Sequence, residues 1–193
     1  MTKIHDGFRN RTVREVFDAH QGRQIDKWSH YLEIYEKHFA KYVGQPVRVL
    51  EIGVDHGGSL QMWKEYFGPK AYIIGVDINP ACLDYIEPRI DICVRDQCNP
   101  ELAKLGPFDI VIDDGSHVSA HQSITYRNLW PETRGVYLIE DCHNGYPLLD
   151  PHPQIQTRYP WVVVCEKPQR IIKGTPSRAL NPDEIRAREL YGI

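Results

Sequence analysis

The stretch VRVLEIGVDHGGSLQMW, residues 47–63, decides how this chain folds. Its first six residues, rich in β-branched and aliphatic side chains, predict a strand over 47–52. GVDHGGS (53–59) follows as a glycine-containing turn, and LQMWKEYF (60–67) predicts a helix stopped by Gly68-Pro69. The pattern then recurs. Strands are predicted over 71–76 (AYIIGV), 90–94 (IDICV), 108–112 (FDIVI) and 136–139 (VYLI), with helices over 80–86, 100–105 and 120–129 between them. Strands that alternate with helices form right-handed βαβ units and a parallel sheet covered on both faces, so the predicted class is α/β.

Upstream, HYLEIYEKHFAKYV (30–43) sets Tyr31, Ile34, Tyr35, His38, Phe39 and Tyr42 at steps of three and four, an amphipathic helix whose aromatic stripe would pack on the core. Downstream, Pro147, Pro151, Pro153 and Pro160 crowd residues 143–160 and predict a long loop. WVVVCE (161–166) and RIIK (170–173) predict a closing hairpin around 167–169, and 182–190 a short charged helix.

At 193 residues, with 41 % hydrophobic and 25 % charged residues, one domain is expected. The net charge of −3 lacks the basic field of a general nucleic-acid binder, so no nucleic-acid partner is expected. No apolar run approaches the roughly 18 residues of a membrane span, and the N-terminal MTKIHDGFRNRTVREVF has no apolar core of a signal peptide. The odd set Cys82, Cys93, Cys98, Cys142 and Cys165, without a CxxC, fits free thiols in a reducing cytoplasm. A short N-terminal helical arm also leaves room for a homo-oligomer.

In an open α/β sheet, ligands lie beyond the carboxyl ends of the strands. Glu51 and Gly53 end the first predicted strand, Asp77 the second, Asp96 the third, Asp113 and Asp114 the fourth, and Glu140 and Asp141 the fifth. Such a row of carboxylates repels itself unless cations or hydrogen-bond donors are near. Asp77, roughly 20 residues beyond the glycine loop, is placed to accept the ribose hydroxyls of an adenosine. The loop reads GVDHGG in place of GxGxxG, carries no Lys or Arg, and is bracketed by Glu51 and Asp55, which disfavours a pyrophosphate. An adenosine with a cationic centre and an amino-acid tail fits better. S-adenosylmethionine is such a ligand, its sulfonium and ammonium groups suiting Glu51 and its carboxylate suiting Ser59 and the following helix start.

The segments QIDKWSHYLEIYEKHF (24–39), VLEIGVDHGGSLQMW (49–63), IIGVDIN (73–79), RDQ (95–97), FDIVIDDGSHVSAHQ (108–122) and YLIEDCHNGY (137–146) resemble class I S-adenosylmethionine-dependent methyltransferases. They are most similar to the metal-dependent sugar O-methyltransferases of macrolide biosynthesis, the mycinamicin type, with rhamnosyl O-methyltransferases and the cephalosporin hydroxylase group as relatives. The resemblance implies a Rossmann-like sheet, mostly parallel with a C-terminal antiparallel hairpin and about seven strands. It implies one methyltransferase domain over 1–193, with a helical lid or arm over 1–45 and the core over 46–193.

It also implies roles. Glu51, Gly53 and Ser59, with Gly57 in the same loop, would hold the methionine part of the cofactor, Asp77 the ribose, and Asp96 and Gln97 the adenine. Asp113 either touches the cofactor or points away. Asp114, Glu140 and Asp141 match the family's acidic metal ligands, and His117 matches its general base. Three carboxylates from adjacent strand ends suit a hard cation such as Mg²⁺, which would hold vicinal hydroxyls of an acceptor. An imidazole titrates near neutrality, where it can take a hydroxyl proton. Lys27 and Tyr31 lie in the segment that resembles the family's lid, and His143 would either line the acceptor pocket or face solvent.

The activity implied is a Mg²⁺-dependent O-methyltransferase acting on a small-molecule hydroxyl, a sugar or a glycosylated natural product. A methyltransferase-fold enzyme with other chemistry (N-methylation, or a hydroxylase-associated reaction) and a non-catalytic nucleoside-binding module remain as alternatives. The pattern departs from the class after the fifth strand, where the proline-rich loop takes the place of a helix.

Overall fold

The computed structural model describes residues 11–168. Seven strands form one sheet: β1 (Arg48–Ile52), β2 (Tyr72–Asp77), β3 (Ile90–Val94), β4 (Phe108–Asp113), β5 (Thr133–Ile139), β6 (Ile155–Tyr159) and β7 (Val162–Glu166). Their order is β3-β2-β1-β4-β5-β7-β6. The first five strands pair in parallel, and β7 runs antiparallel to both β5 and β6. The strand order reverses between β1 and β4, the switch point where an α/β sheet opens a crevice.

The apolar strand runs are explained by burial on both faces. Along β4, Ile110 and Ile112 join one core cluster while Phe108 and Val111 join the other. The first cluster packs against α2 (Tyr31–Phe39) and α3 (Gly58–Phe67); the second packs against α4 (Ser119–Leu129). The aromatic stripe of α2 belongs to the core as expected: Tyr35 meets Trp63 edge-on at 5.0 Å and stacks on Phe39 at 5.8 Å. The remaining crossovers are 3₁₀ segments, Pro80–Tyr85 and Pro100–Leu105, each opened by an Asn side chain that caps the first turn.

Three local readings change. The predicted helix over 30–43 ends at Phe39 and tightens to 3₁₀ over Ala40–Tyr42. A further helix, α1 (Val13–Ala19), was not predicted, although Thr12 and Glu15 form a capping box whose spacing is visible in the sequence. The closing hairpin is built from β6 and β7, so residues 155–159 of the expected loop are a strand. Ile155, Thr157 and Tyr159 favour a strand, and Pro160 falls just past its end, where no ladder bond is lost. Residues 170–173 and 182–190 lie outside the described residues. Between β5 and β6 there is one 3₁₀ turn, Cys142–Asn144, so the helix usual there is replaced by loop.

Candidate active site

A crevice of about 640 Å³ opens at the carboxyl ends of the strands, between the glycine loop, the ends of β4 and β5, and the segment 24–31. A smaller cavity of about 290 Å³ adjoins it past Asp77 and is lined by Ile52, Val76, Ile78, Asp96 and Gln97. Gly53 separates the two. At φ +88°, any Cβ there would collide with the Asp114 carbonyl, so glycine lets the ends of β1 and β4 approach.

On the β2 side the carboxylates are held by backbone. Asp77 accepts from the amides of Val54 (2.8 Å), Asp55 (3.4 Å) and Asn79 (2.9 Å), which pins the glycine loop to the end of β2. Asp96 accepts from the Cys98 amide at 2.7 Å. Gln97 accepts from the Ser116 amide at 2.8 Å and donates to Thr125 at 3.0 Å, tying β3 to the turn after β4. Ser59 lines the large crevice and donates to buried Glu51 at 2.8 Å. Gly57 lies beneath Arg23 and Tyr85, and its carbonyl accepts from Arg23 Nε at 3.3 Å.

On the other side the groups converge. The buried Lys27 ammonium forms ion pairs with Asp114, with Glu140 Oε2 at 3.0 Å and with Glu51 Oε1 at 3.5 Å. Burial would lower the pKa of Lys27, but the three carboxylates outweigh burial and raise it, so it is a cation. Burial pushes Glu51 and Glu140 up; Asp114 adds to both, and Lys27 opposes both. Glu140 also accepts from Tyr35 at 2.7 Å through its other oxygen. Asp141 accepts through one oxygen from Tyr31 (2.7 Å) and Trp28 (3.2 Å), and His143 Nε2 stands 2.9 Å from the same atom.

Asp114, His117 and Asp141 offer ligand atoms that all lie within 4.8 Å of one another. His117 Nδ1 is 4.0 Å from Asp114 and 3.9 Å from Asp141, and it is buried with no hydrogen-bond partner. Those gaps are too long for hydrogen bonds. They are also wider than the roughly 3 Å between neighbouring ligands of an octahedral Mg²⁺, so the three groups would draw together to hold one. His117 and Asp141 also hold positive φ (+56° and +51°), a conformation that concentrates where function constrains backbone.

Of the residues singled out from sequence, Gly53, Ser59, Asp77, Asp114, His117, Glu140 and Asp141 line the large crevice, and Asp96 and Gln97 the smaller one. Glu51 lies behind Ser59 and Lys27. Asp113 lines neither cavity: it is wholly buried, bonded by Tyr137 at 3.2 Å and Gln97 at 3.4 Å, and burial raises its pKa to about 7. Sequence reasoning missed the role of Lys27, which was expected to cover the cofactor; nothing local in DKW signals a partner 87 residues away.

No family model matches the chain. It is 44 % identical over 134 residues to the 8-demethyl-8-(2-methoxy-alpha-L-rhamnosyl)-tetracenomycin-C 3'-O-methyltransferase of Streptomyces olivaceus, covering 62 % of this chain and 34 % of that protein. It is 44 % identical over 127 residues to the mycinamicin VI 2''-O-methyltransferase of Micromonospora griseorubida, covering 58 % and 31 %. Among solved structures, the methyltransferase MycE of the mycinamycin pathway, in complex with Mg and SAH, superposes with a TM-score of 0.72 at 30 % identity, covering 89 % of this chain and 59 % of that one. The chain thus spans about a third of the length of the curated relatives it matches. Within that span it carries the Rossmann-like methyltransferase fold and is similar to the sugar O-methyltransferases that act on glycosylated natural products.

Proposed function

We propose that the chain is a Mg²⁺-dependent O-methyltransferase that uses S-adenosylmethionine and acts on a hydroxyl of a sugar or glycosylated natural product. One observation carries the reading: Asp114, His117 and Asp141 come together on the wall of a crevice whose other wall is the glycine loop and Asp77. When bound, S-adenosylmethionine would supply the methyl group and Mg²⁺ would hold and polarise the acceptor's hydroxyls.

The remaining roles belong to the chain's own residues. Asp77 keeps lone pairs for the ribose beyond those given to the backbone, and Asp96 and Gln97 flank the slot for adenine. Glu51, Gly53, Gly57 and Ser59 shape the end that takes the methionine part. Asp114 and Asp141 would hold the ion, with Glu140 as third ligand in place of its pairing with Lys27. His117 would take the proton of the acceptor hydroxyl, leaving its oxygen free to attack the donor's methyl. Most of the rate gain would come from orientation and fixed charge. Asp113 supports the site from below through Tyr137 and Gln97. The segment 24–31 acts as the lid, and the partner is a small-molecule acceptor in the cytoplasm. Among the described residues no helix is long and apolar enough to cross a membrane.

A second reading of His117 is favoured by its unpartnered Nδ1: the ring itself completes the ion's ligands with Asp114 and Asp141, while Glu140 stays with Lys27 and Tyr35. His117→Ala separates the two. As a base, its loss lowers methyl transfer by roughly 10²–10⁴-fold and leaves Mg²⁺ and S-adenosylhomocysteine affinity unchanged by calorimetry. As a ligand, its loss weakens Mg²⁺ binding as well. A wild-type protein that binds neither S-adenosylhomocysteine nor Mg²⁺ overturns the proposal.

A further inference from the structure

A third concavity, of about 760 Å³, lies beside the crevice, with Trp28, Ile34, Tyr159, Pro160 and Trp161 among its walls. Trp28 belongs to both spaces. Its indole N–H bonds Asp141 at 3.2 Å, and its ring lies 5.2 Å from Trp161 and 6.3 Å from His143. His143 in turn packs on Trp161 at 4.6 Å. The two indoles are 50 % and 39 % exposed, large apolar surfaces left open to solvent.

Trp161 holds a backbone conformation that large side chains disfavour. It is the second residue of the two-residue turn joining β6 to β7, after Pro160, and holds φ +61°. Proline followed by positive φ is the pattern in which glycine or asparagine belongs, and a bulky side chain there is strained by about 1–3 kcal/mol. The strain is held in place: the Trp161 carbonyl accepts from the Cys142 amide at 2.8 Å, fixing the hairpin tip to the chain just beyond Asp141. A turn locked at this point and carrying an indole aims apolar surface at the edge of the acidic site.

We infer that Trp28 and Trp161 form the platform for the aglycone of a glycoside acceptor whose sugar hydroxyls lie at Asp114 and Asp141. The inference rests on the proposed O-methylation of a sugar. What the sugar is attached to must leave the acidic site, and the nearest apolar concavity lies directly beyond the Trp28 indole that walls the crevice. The indole faces suit a flat or C–H-rich ring system without charge. The charged side chains among its lining residues are Glu33 and Lys37, of opposite sign.

The test compares 4-nitrophenyl α-L-rhamnoside with methyl α-L-rhamnoside as probes, by titration of tryptophan fluorescence in the presence of Mg²⁺ and S-adenosylhomocysteine. The wild type should bind the aryl glycoside roughly tenfold more tightly. Trp161→Ala should bring that ratio close to one while S-adenosylhomocysteine affinity is kept, which shows that the fold survives. Trp161→Phe should keep most of the preference. An aryl preference unchanged in Trp161→Ala, or a wild type that binds S-adenosylhomocysteine without preferring the aryl glycoside, overturns the platform alone. A dimer that falls apart on Trp161→Ala in sedimentation velocity overturns it in favour of a second copy of the chain. Failure to bind S-adenosylhomocysteine and Mg²⁺ overturns the proposed function as well.

Discussion

The two ends of the crevice neutralise their carboxylates by different means. At the β2 and β3 end, Asp77 and Asp96 accept from backbone amides, those of the glycine loop and of the turns that follow β2 and β3. Those donors are fixed by the fold and leave only with it. At the β4 and β5 end, Glu51, Asp114 and Glu140 share one ammonium, carried by Lys27 on a segment that belongs to neither strand. A side chain can be exchanged for another cation where an amide cannot. The end at Asp77 and Asp96 is therefore prebuilt, and the acidic end depends on which cation it holds.

Removing the internal cation is the strongest way to break that contrast. Lys27→Met leaves buried carboxylates uncompensated and should cost roughly 3 kcal/mol in chemical denaturation. Added Mg²⁺ should recover part of the loss by binding the folded state, while the wild type gains less because Lys27 competes. Equal stability of variant and wild type would remove the contrast. A smaller and more selective effect is expected from paired substitutions. Asp114→Asn should weaken Mg²⁺ binding roughly 10–100-fold and barely move S-adenosylhomocysteine, with Asp77→Asn showing the reverse, both read by calorimetry.

The smallest effect concerns the helix that follows Lys27. His38 on α2 joins the hairpin, with Nε2 2.8 Å from the Tyr159 hydroxyl and Nδ1 3.2 Å from Glu166. Burial lowers its pKa; Glu166 opposes this, and Lys37 and Lys41 assist it. The unfolded chain then takes up this proton before the folded one does. Stability should fall as pH drops below about 6.5. His38→Gln should flatten melting temperature against pH over that window; a slope that persists in the variant assigns it to other groups.

Much of the fold was legible because its signals are local. Aliphatic runs ending in acidic residues marked β1 to β5, and the glycine loop marked the turn that follows β1. β6 escaped because the prolines around it outweighed IQTRY, and α1 because its capping box went unused. The neighbours Asp113 and Asp114 show the same limit within the site. Alternation along β4 puts Asp113 on the α4 face with Val111, where Tyr137 and Gln97 meet it, while Asp114 lies past the last strand residue and is free to turn toward the crevice.

The amino-acid sequence by itself determined the parallel α/β order and the kinds of residue that crown each strand, since hydrophobic period and glycine turns are written within a few positions. Only the tertiary structure decided that Lys27 is the cation among those carboxylates, that Glu140 is shared with Tyr35, and that Trp161 stands beside Trp28. These contacts join positions 105 to 133 residues apart, except for the Lys27 pairs with Glu51 and Asp114 at 24 and 87, and side chains that meet across such separations leave no periodic trace in the chain.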